Sequence, residues 1–299
     1  VNLYDTFDAS TTETITQEFN WSIDLDGSSW ILGAFLMDDD TSRRTLFDLP
    51  LPVFGFPVPG KLEWDHQSID TKSKAFFIDG TFDLDEKTEL SLGLRRTRDE
   101  FKSIQLNRVF LNLGQFIPVS TTCDRQIDQN FESDTSRLVI KRILNNRFNA
   151  YLSYSEGFKA GGIATYECSD PYKPEEVDAF EIGFKGYFNS GKTSLNASLF
   201  NYDYTNFQVI QVIGTQTVTK NAGVANVDGL EVEVNHNFSE KLNLELAYSY
   251  LDAVYDDFVN LNGLNPQLGF QQLKGNYLNH SPRNSLSIGL NYSKEFTRG

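Results

Sequence analysis

The residue types most often used in catalysis are scattered along this 299-residue chain. Its three histidines, His66, His236 and His280, lie far apart in the sequence and have no spacing typical of metal ligands. No serine occupies the Gly-x-Ser-x-Gly turn that presents a nucleophile. We therefore predict no catalytic residues, no metal centre and no cofactor, and we do not expect an enzyme.

The acidic run Asp38–Asp40 is the strongest candidate for a cation site. Ca²⁺ is a hard cation that prefers carboxylate oxygens. The alternative, which the sequence favours, is that the three carboxylates form the solvated end of a strand. We therefore predict no metal site at this run.

Ligand contacts, if any, are expected in the long loops, and the most unusual of these is Asp48–Trp64, which is rich in proline and phenylalanine. Proline stiffens a loop at low entropic cost, and aromatic side chains supply contact area. The alternative for this stretch is a loop that packs upon itself. The alternative for His66 is an exposed position in the loop. The candidate ligand-binding residues are Phe54, Phe56, Trp64, His66, Tyr166 and Tyr172.

Composition excludes several classes of protein. The net charge of −15 and the pI near 4.6 argue against a nucleic-acid partner, which requires a basic surface. No apolar stretch approaches the ~20 residues of a membrane-spanning helix. Two cysteines are too few for a disulfide scaffold, and 13% aromatic residues are too many for a disordered chain.

The elements that must position these residues are β-strands. Apolar and polar residues alternate clearly in five segments: Glu89–Arg95, Phe180–Lys185, Leu230–Asn235, Leu242–Leu251 and Asn284–Tyr292. The weaker strands are Thr14–Ile23, Trp30–Asp38, Thr71–Leu84, Ser136–Ile143, Phe148–Ser155, Thr193–Tyr204 and Val218–Val224, the last as part of one long strand with Leu230–Asn235. The pattern predicts about eleven strands.

The connections between these strands alternate in length. Short turns are predicted at Asp24–Ser29, Asp83–Thr88, Leu144–Arg147, Asn189–Thr193 and Ser239–Leu242. Long connections are predicted at Asp39–Asp70, Asp99–Thr135, Lys159–Glu175, Thr205–Thr217 and Ala253–Gly275. Short turns on one side and long loops on the other are typical of outer-membrane barrels. A soluble β-rich protein is the alternative.

The two faces of the strands differ in chemistry. One face is continuously apolar and often ends in tyrosine or phenylalanine, whereas the other carries Arg95, Glu181, Lys185, Glu231, Glu233 and Glu245. A sheet this wide closes around a lumen too large for side chains to fill, so we expect the apolar face to meet lipid and the six charges to face the lumen. The predicted fold class is an all-β, transmembrane, antiparallel up-and-down barrel.

Four segments resemble strand entries of TonB-dependent outer-membrane receptors, in order and in spacing. They are YLSYSEGFKAGG at Tyr151–Gly162, KPEEVDAFEIGFK at Lys173–Lys185, NAGVANVDGLEVE at Asn221–Glu233 and Leu273 with the NHSP of Asn279–Pro282. Together they cover about Tyr151–Tyr292. The first half is similar more loosely, through WILGAF at Trp30 and LGLRR at Leu92.

The resemblance implies a barrel of 22 strands with a plug domain in its lumen and a TonB-contacting segment before the plug. Residues 1–299 are then expected to be a partial barrel of about eleven strands, without the plug and the terminal strands. The implied partners are the TonB complex, outer-membrane lipid and a ferric siderophore or another small-molecule ligand. The implied function is uptake across the outer membrane of a Gram-negative bacterium, and a passive porin-like or structural barrel is the alternative.

The resemblance also implies which side each connection occupies, with the short turns periplasmic and the long loops extracellular. Cys123 and Cys168 would both lie in external loops separated by one strand pair. Because the exterior is oxidising, we predict a disulfide between them. The lumen charges would bind the plug or line a solute path, and the alternative is that they only hydrate the wall.

Overall fold

The computed structural model describes residues 5–49, 60–112, 115–163, 170–213, 216–262 and 265–294. Eleven antiparallel strands form one sheet in sequential order. They are β1 (Asp5–Leu25), β2 (Ser28–Leu49), β3 (Gly60–Asp85), β4 (Thr88–Asn112), β5 (Phe116–Asn145), β6 (Phe148–Lys159), β7 (Glu175–Phe188), β8 (Thr193–Thr205), β11 (Val224–Ser239), β12 (Leu242–Asp257) and β15 (Asn284–Tyr292).

Two small hairpins lie in the connections. The hairpin of β9 (Gln208–Ile213) and β10 (Gln216–Asn221) follows β8, and the hairpin of β13 (Val259–Leu261) and β14 (Phe270–Gln272) follows β12. Single 3₁₀ turns occur at Asn189–Gly191 and Pro266–Leu268. No helix in the described ranges is long and apolar enough to cross a membrane.

The predicted short turns are confirmed. The turn between β1 and β2 has only Asp26 and Gly27, and Gly27 has a φ of +73°, which glycine adopts without steric cost. The β7–β8 turn is an irregular one in which Asn189 and Ser190 also have positive φ. The β1–β2 and β7–β8 pairs keep one register up to the turn, whereas a register shift lies beside the β3–β4, β5–β6 and β11–β12 turns. Beyond these turns the alternation along one strand continues across the sheet.

The long connections differ from the sequence prediction. Asp39–Asp70 and Asp99–Thr135 were expected to be loops, yet β2 to β5 continue through most of both ranges as paired strands. Pairing persists, for example, between Asp39 and Thr71. The apolar residues of these segments do not alternate regularly with polar ones along the sequence, although the strands remain paired.

The predicted strand Val218–Val224 also differs from the structure. It was expected to continue into Leu230–Asn235, but β10 ends at Asn221 and pairs with β9, and β11 begins at Val224. Ala222 and Gly223 separate the two strands, and the backbone N–H of Ala222 donates to the carbonyl of Phe207 at 2.6 Å. The chain therefore turns back at this point instead of running on.

The strand register confirms that the apolar and the charged side chains lie on opposite faces of the sheet. Leu152, Ile182, Leu199, Leu230 and Tyr250 are side by side on five consecutive strands. The apolar face is defined by these residues and by Trp21, Leu32, Phe76, Ile78, Leu94, Leu138, Ile140, Phe180, Leu246, Leu286, Ile288 and Leu290. Many of its side chains are more than half exposed, such as Leu290 at 65%, which is typical of a face that meets lipid.

Candidate functional site

The charged face is defined by Arg95, Glu181, Lys185, Glu231, Glu233 and Glu245 together with their neighbours in register. Gly183 lies opposite Tyr151, so Tyr151 shares this face with Glu181 and Lys185. The Tyr151 hydroxyl donates to the Glu181 carboxylate, and the Lys185 Nζ lies 5.6 Å from the centroid of the Tyr151 ring. One tyrosine thus contacts both an acid and a base on the wall.

The carboxylates on β11 and β12 have amide partners. Asn196 donates to Glu233 at 3.3 Å, and Asn291 donates to Glu245 at 3.2 Å. Glu231 lies opposite Ser198 and Ser249. Within the described ranges no ion pair is found for these three glutamates or for Glu181, so this part of the face is anionic apart from the cation of Lys185.

Arg95 lies in an aromatic setting on the same face. Its guanidinium carbon is 5.7 Å from the Phe35 centroid and 5.6 Å from the Phe77 centroid, and its Nε donates to Thr97 at 3.1 Å. The Phe77 ring lies over Gly33, where a Cβ would come within 2.0 Å of it. This cation is therefore held by rings, whereas Arg137 beside it pairs with Asp79 at 3.0 Å.

A first hydrophobic cluster fills the charged-face side of the long β4–β5 hairpin. Phe101, Ile127 and Phe131 are buried there against Ile163, which comes from the connection after β6. A Cβ on Gly161 would lie 2.8 Å from the Phe131 ring and 2.3 Å from the Tyr172 carbonyl. The Ala-Gly-Gly of the YLSYSEGFKAGG motif thus lets this connection fold closely over the hairpin.

Tyr172 is held in the same connection. Its backbone exchanges hydrogen bonds with Gly162, at 3.2 and 2.8 Å, and its half-buried position raises the pKa of its hydroxyl. Of the other ligand candidates, Phe54, Phe56 and Tyr166 lie outside the described residues. Trp64 and His66 belong to β3, not to a loop as expected, and their side chains also lie outside the described set.

Asn221 joins the connection between β6 and β7 to the connection between β8 and β11. Its Oδ1 accepts the Lys173 N–H at 2.7 Å, and its Nδ2 donates to the carbonyls of Lys173 at 2.9 Å and Asn206 at 2.7 Å. Gln208 adds donation to the carbonyls of Ala160 at 3.0 Å and Lys173 at 3.2 Å. The first residues of two of the resembling motifs, Lys173 and Asn221, therefore hold the connections in place.

A second hydrophobic cluster, which the sequence did not predict, lies where the connections after β8 and β12 meet. Ala222, Ala225, Tyr255 and Phe258 are buried, and Tyr204, Phe207, Val209, Leu273 and Leu278 pack around them. Tyr255 lies 4.9 Å from Phe258 and 6.3 Å from Phe207 between ring centroids. The aromatic residues of Thr205–Thr217 and Ala253–Gly275 were the only hint of this cluster in the sequence. Which of these residues contact one another depends on long-range packing, which the local sequence does not show.

Cys123 lies in β5 and is 4% exposed. It is disulfide-bonded, and there is no free cysteine within the described ranges. Cys168, the other cysteine of the chain, lies outside those ranges. The pairing of Cys123 with Cys168 therefore stays a prediction.

The carboxylates of Asp38–Asp40 do not converge on one point. These residues lie within β2, where successive side chains point to opposite faces. Asp39 accepts a hydrogen bond from Thr14, and Asp38 lies 3.6 Å from Lys72. No group of three potential metal ligands occurs in the part of the chain that the structure describes.

The fold and its two faces define a segment of a transmembrane β-barrel. The sequence matches the family described as TonB dependent receptor-like, beta-barrel over residues 2–299, so the chain belongs to that family, whose β-barrels lie in the outer membrane of Gram-negative bacteria.

The curated relatives of the chain are consistent with this family. The chain is 24% identical over 208 residues to the metal-pseudopaline receptor CntO of Pseudomonas aeruginosa, covering 69% of this chain and 28% of that protein. It is 36% identical over 80 residues to the probable TonB-dependent siderophore receptor PiuA of Acinetobacter baumannii, covering 27% of this chain and 10% of that protein. The chain thus spans well under half the length of these relatives.

Solved structures show the same fold. The ferric yersiniabactin uptake receptor FyuA of Yersinia pestis superposes with a TM-score of 0.75 at 16% identity, covering 98% of this chain and 41% of FyuA. The siderophore receptor PiuA of Acinetobacter baumannii superposes with a TM-score of 0.69 at 18% identity, covering 95% of this chain and 44% of PiuA. These relatives are named as receptors and not as enzymes, in line with the sequence prediction at the level of the family.

Proposed function

We propose that the chain is part of the barrel of a TonB-dependent receptor that imports a ferric siderophore or a similar scarce metal chelate. The observation that carries the proposal is the family match over residues 2–299, supported by relatives whose names specify metal-pseudopaline, ferric pyoverdine and siderophores. The substrate comes from the names of these relatives, which differ among themselves, so the proposal names a class of ligand.

In this proposal residues 1–299 form about half of a barrel whose lumen holds a plug supplied by another part of the protein. The charged face lines that lumen. Its carboxylates at Glu181, Glu231, Glu233 and Glu245 favour cationic side chains of a plug, because opposite charges attract strongly where water is limited. The TonB complex would act on the plug and not on this wall.

Ligand capture is assigned to the extracellular connections. Two of their regions are built around buried hydrophobic clusters and are joined by Asn221 and Gln208, so they present a fixed surface at the mouth of the barrel. A preformed surface lowers the entropic cost of binding a ligand. The candidate ligand contacts are Phe54, Phe56, Trp64, His66, Tyr166 and Tyr172. The step that follows is a change of conformation and not covalent chemistry.

The experiment is uptake of radio-iron by an iron-starved strain that lacks its own receptors and expresses the full-length protein. Ferric catecholate, ferric hydroxamate and ferric phenolate siderophores are supplied separately, with and without an active TonB complex. TonB-dependent uptake of at least one of them is expected. Uptake that persists without TonB, or a steady conductance of the purified protein in planar bilayers, would contradict the proposal and favour a passive pore.

A further inference from the structure

Arg95 lies on the charged face and has no acidic partner among the described residues. Within those residues its guanidinium makes one hydrogen bond, from Nε to the Thr97 hydroxyl at 3.1 Å. The rings of Phe35 and Phe77 lie beside it, with centroids 5.7 and 5.6 Å from the guanidinium carbon. A guanidinium has five N–H donors, so those on its two terminal nitrogens are left for another acceptor.

The surroundings of Arg95 restrict its movement. The Phe77 ring is itself confined, because it lies over Gly33, where a Cβ would come within 2.0 Å of it. The bond from Nε adds a third point of contact. A side chain that is restricted in this way loses little conformational freedom when its remaining donors bind an anion.

Two other cations of this face have carboxylate partners on the neighbouring strand. Arg137 lies 3.0 Å from Asp79, and Lys141 lies 3.8 Å from Glu89. Both cations are therefore neutralised by the wall itself. Arg95 differs from them, although it lies on the same face of the same strands.

The neighbours of Arg95 on the wall do not supply an anion. The residues in register with it, Phe77 and Thr135, carry no charge. Glu18 on β1 and Asp99 further along β4 lie on the same face, and within the described ranges neither forms an ion pair with Arg95. The anion that Arg95 lacks must therefore come from outside this part of the wall.

A cavity of about 250 Å³ lies beside Arg95. Its lining includes two acidic and two basic residues, which are Asp79, Glu156, Arg95 and Arg137. Both carboxylates are engaged: Asp79 pairs with Arg137, and Glu156 accepts the backbone N–H of Ser136 at 2.7 Å and its hydroxyl at 2.8 Å. The space next to Arg95 is therefore open to a further side chain.

We propose that Arg95 binds a carboxylate of the plug. The inference rests on the proposed function, in which the plug fills the lumen and removes water from the wall. A cation that loses its water requires an anion, because the attraction of aromatic rings is weaker than the hydration that it replaces. The wall itself provides no such anion, so the segment that displaces the water must bring it.

This contact has a consequence for the orientation of the plug. Glu231 and Glu233 on β11 favour cationic side chains, and four strands separate β11 from Arg95 on β4. A plug that fits both places presents an acidic group towards β4 and a basic group towards β11. Because a rotated plug would bring like charges together, the two places favour one orientation over the others.

The test uses the full-length receptor with Arg95→Lys, which keeps the cation and supplies a primary amine. A carbodiimide joins an amine to a carboxylate in contact with it through an amide bond, with loss of water. Peptide mapping is expected to find the new amine joined to one aspartate or glutamate of the plug. Ser133→Lys, on the same face one row away, is the control and should give that product in much lower yield. A product with Asp79, Glu18 or Asp99 alone, no product with the plug, or equal yields from the two variants would overturn the proposal.

Arg95→Gln removes the charge, and amide hydrogen exchange in the plug peptide that carries its partner is expected to accelerate about tenfold or more. Replacing the partner carboxylate by its amide should have the same effect, and the two changes together should do no more than either alone. Lys141→Gln removes a cation that Glu89 already neutralises, so it is the matched control and should leave exchange in the plug unchanged. Additive effects of the first two changes would contradict the contact.

Uptake of radio-iron by the same receptor separates this inference from the proposed function. TonB-dependent uptake without a cross-link to the plug would reject the Arg95 contact alone. A cross-link to the plug in a receptor that conducts without TonB would support the contact and contradict the proposed function.

Discussion

The ring of Tyr151 lies directly over the backbone of Gly183, its cross-strand neighbour, and fills the space that a side chain at that position would need. A Cβ on Gly183 would lie 2.2 Å from the ring carbon that bears the hydroxyl. The same hydroxyl donates to Glu181, two residues before the glycine. The Glu-x-Gly-x-Lys motif therefore provides a partner for the tyrosine hydroxyl, room for its ring and a cation beside it.

This relationship predicts that Gly183→Ala destabilises the barrel. The added methyl group must displace the Tyr151 ring and break its hydrogen bond, so we expect the free energy of unfolding to fall by about 1–3 kcal/mol. Urea unfolding of the full-length receptor in lipid would measure the change. Gly289→Ala is the matched control, because its Cβ would lie 3.6 Å from the Glu245 side chain, an ordinary contact. Equal losses in both variants would refute the packing role of Gly183.

How far the fold could be predicted depends on where each strand lies. In the span beside lipid, Leu242–Leu251 alternates strictly, and the structure has β12 there in the register that the alternation implies. Beyond that span the regular alternation of apolar and polar residues is lost, and polar residues such as Thr45 and Ser73 are buried there. The ladder between β2 and β3 continues there without any hydrophobic signal.

The candidate site was predictable in its chemistry and not in its contacts. The alternation was sufficient to place Glu231 and Glu233 on the face opposite Leu230 and Val232, and the register confirms this. The contact of Asn221 with Lys173 joins residues 48 apart, and no local pattern encodes it. A sequence motif can therefore mark such a residue without showing what it binds.

Asn221 provides a test of how the connections are held. Asn221→Ala removes three hydrogen bonds and leaves the Lys173 N–H without its acceptor, a loss of about 1–3 kcal/mol in local stability. Amide hydrogen exchange at Lys173–Glu175 and Asn206–Gln208 is expected to accelerate about tenfold or more. Asn201→Ala, which removes an exposed hydrogen bond to Asp228 at 3.0 Å, is the control and should leave these amides unchanged.

The proposed Cys123–Cys168 disulfide has a direct readout in mass. Peptide mapping of the full-length receptor after alkylation without reductant should find Cys123 and Cys168 unmodified, and both should be alkylated once the protein has been reduced. Because the bond would tie the β6–β7 connection to β5, Cys168→Ser is expected to speed exchange around Gly161–Ile163. Ser120→Ala, a nearby change in β5 that breaks no covalent bond, serves as the control. Two alkylated thiols in the unreduced protein would exclude the pairing.

The ion pair between Asp8 and Arg43 predicts a dependence of stability on pH. The hydrogen bond from Arg43 is the main reason that the pKa of Asp8 lies below its ordinary 3.8. Burial opposes this effect, and the charge of Arg43 and a hydrogen bond from Thr45 lower the pKa further. A carboxylate with a lowered folded-state pKa stabilises the protein fully above the unfolded value, and this stabilisation is lost as the pH falls through the folded value. We therefore expect the wild type to be more stable than Arg43→Gln at about pH 7, with the gap narrowing below about pH 4.

Asp85 provides the contrast for that measurement. Its pKa is lowered first by the backbone N–H of Lys87 and then by the Thr88 hydroxyl, and the charge of Arg142 has only a smaller effect. The Lys87 and Thr88 donors remain in Arg142→Gln. The difference in free energy of unfolding between this variant and the wild type should therefore change less with pH than the corresponding difference for Arg43→Gln. Urea unfolding of the three proteins across the acid range would measure both gaps. A pH-independent gap for Arg43→Gln would show that Arg43 acts through packing and not through the charge of Asp8.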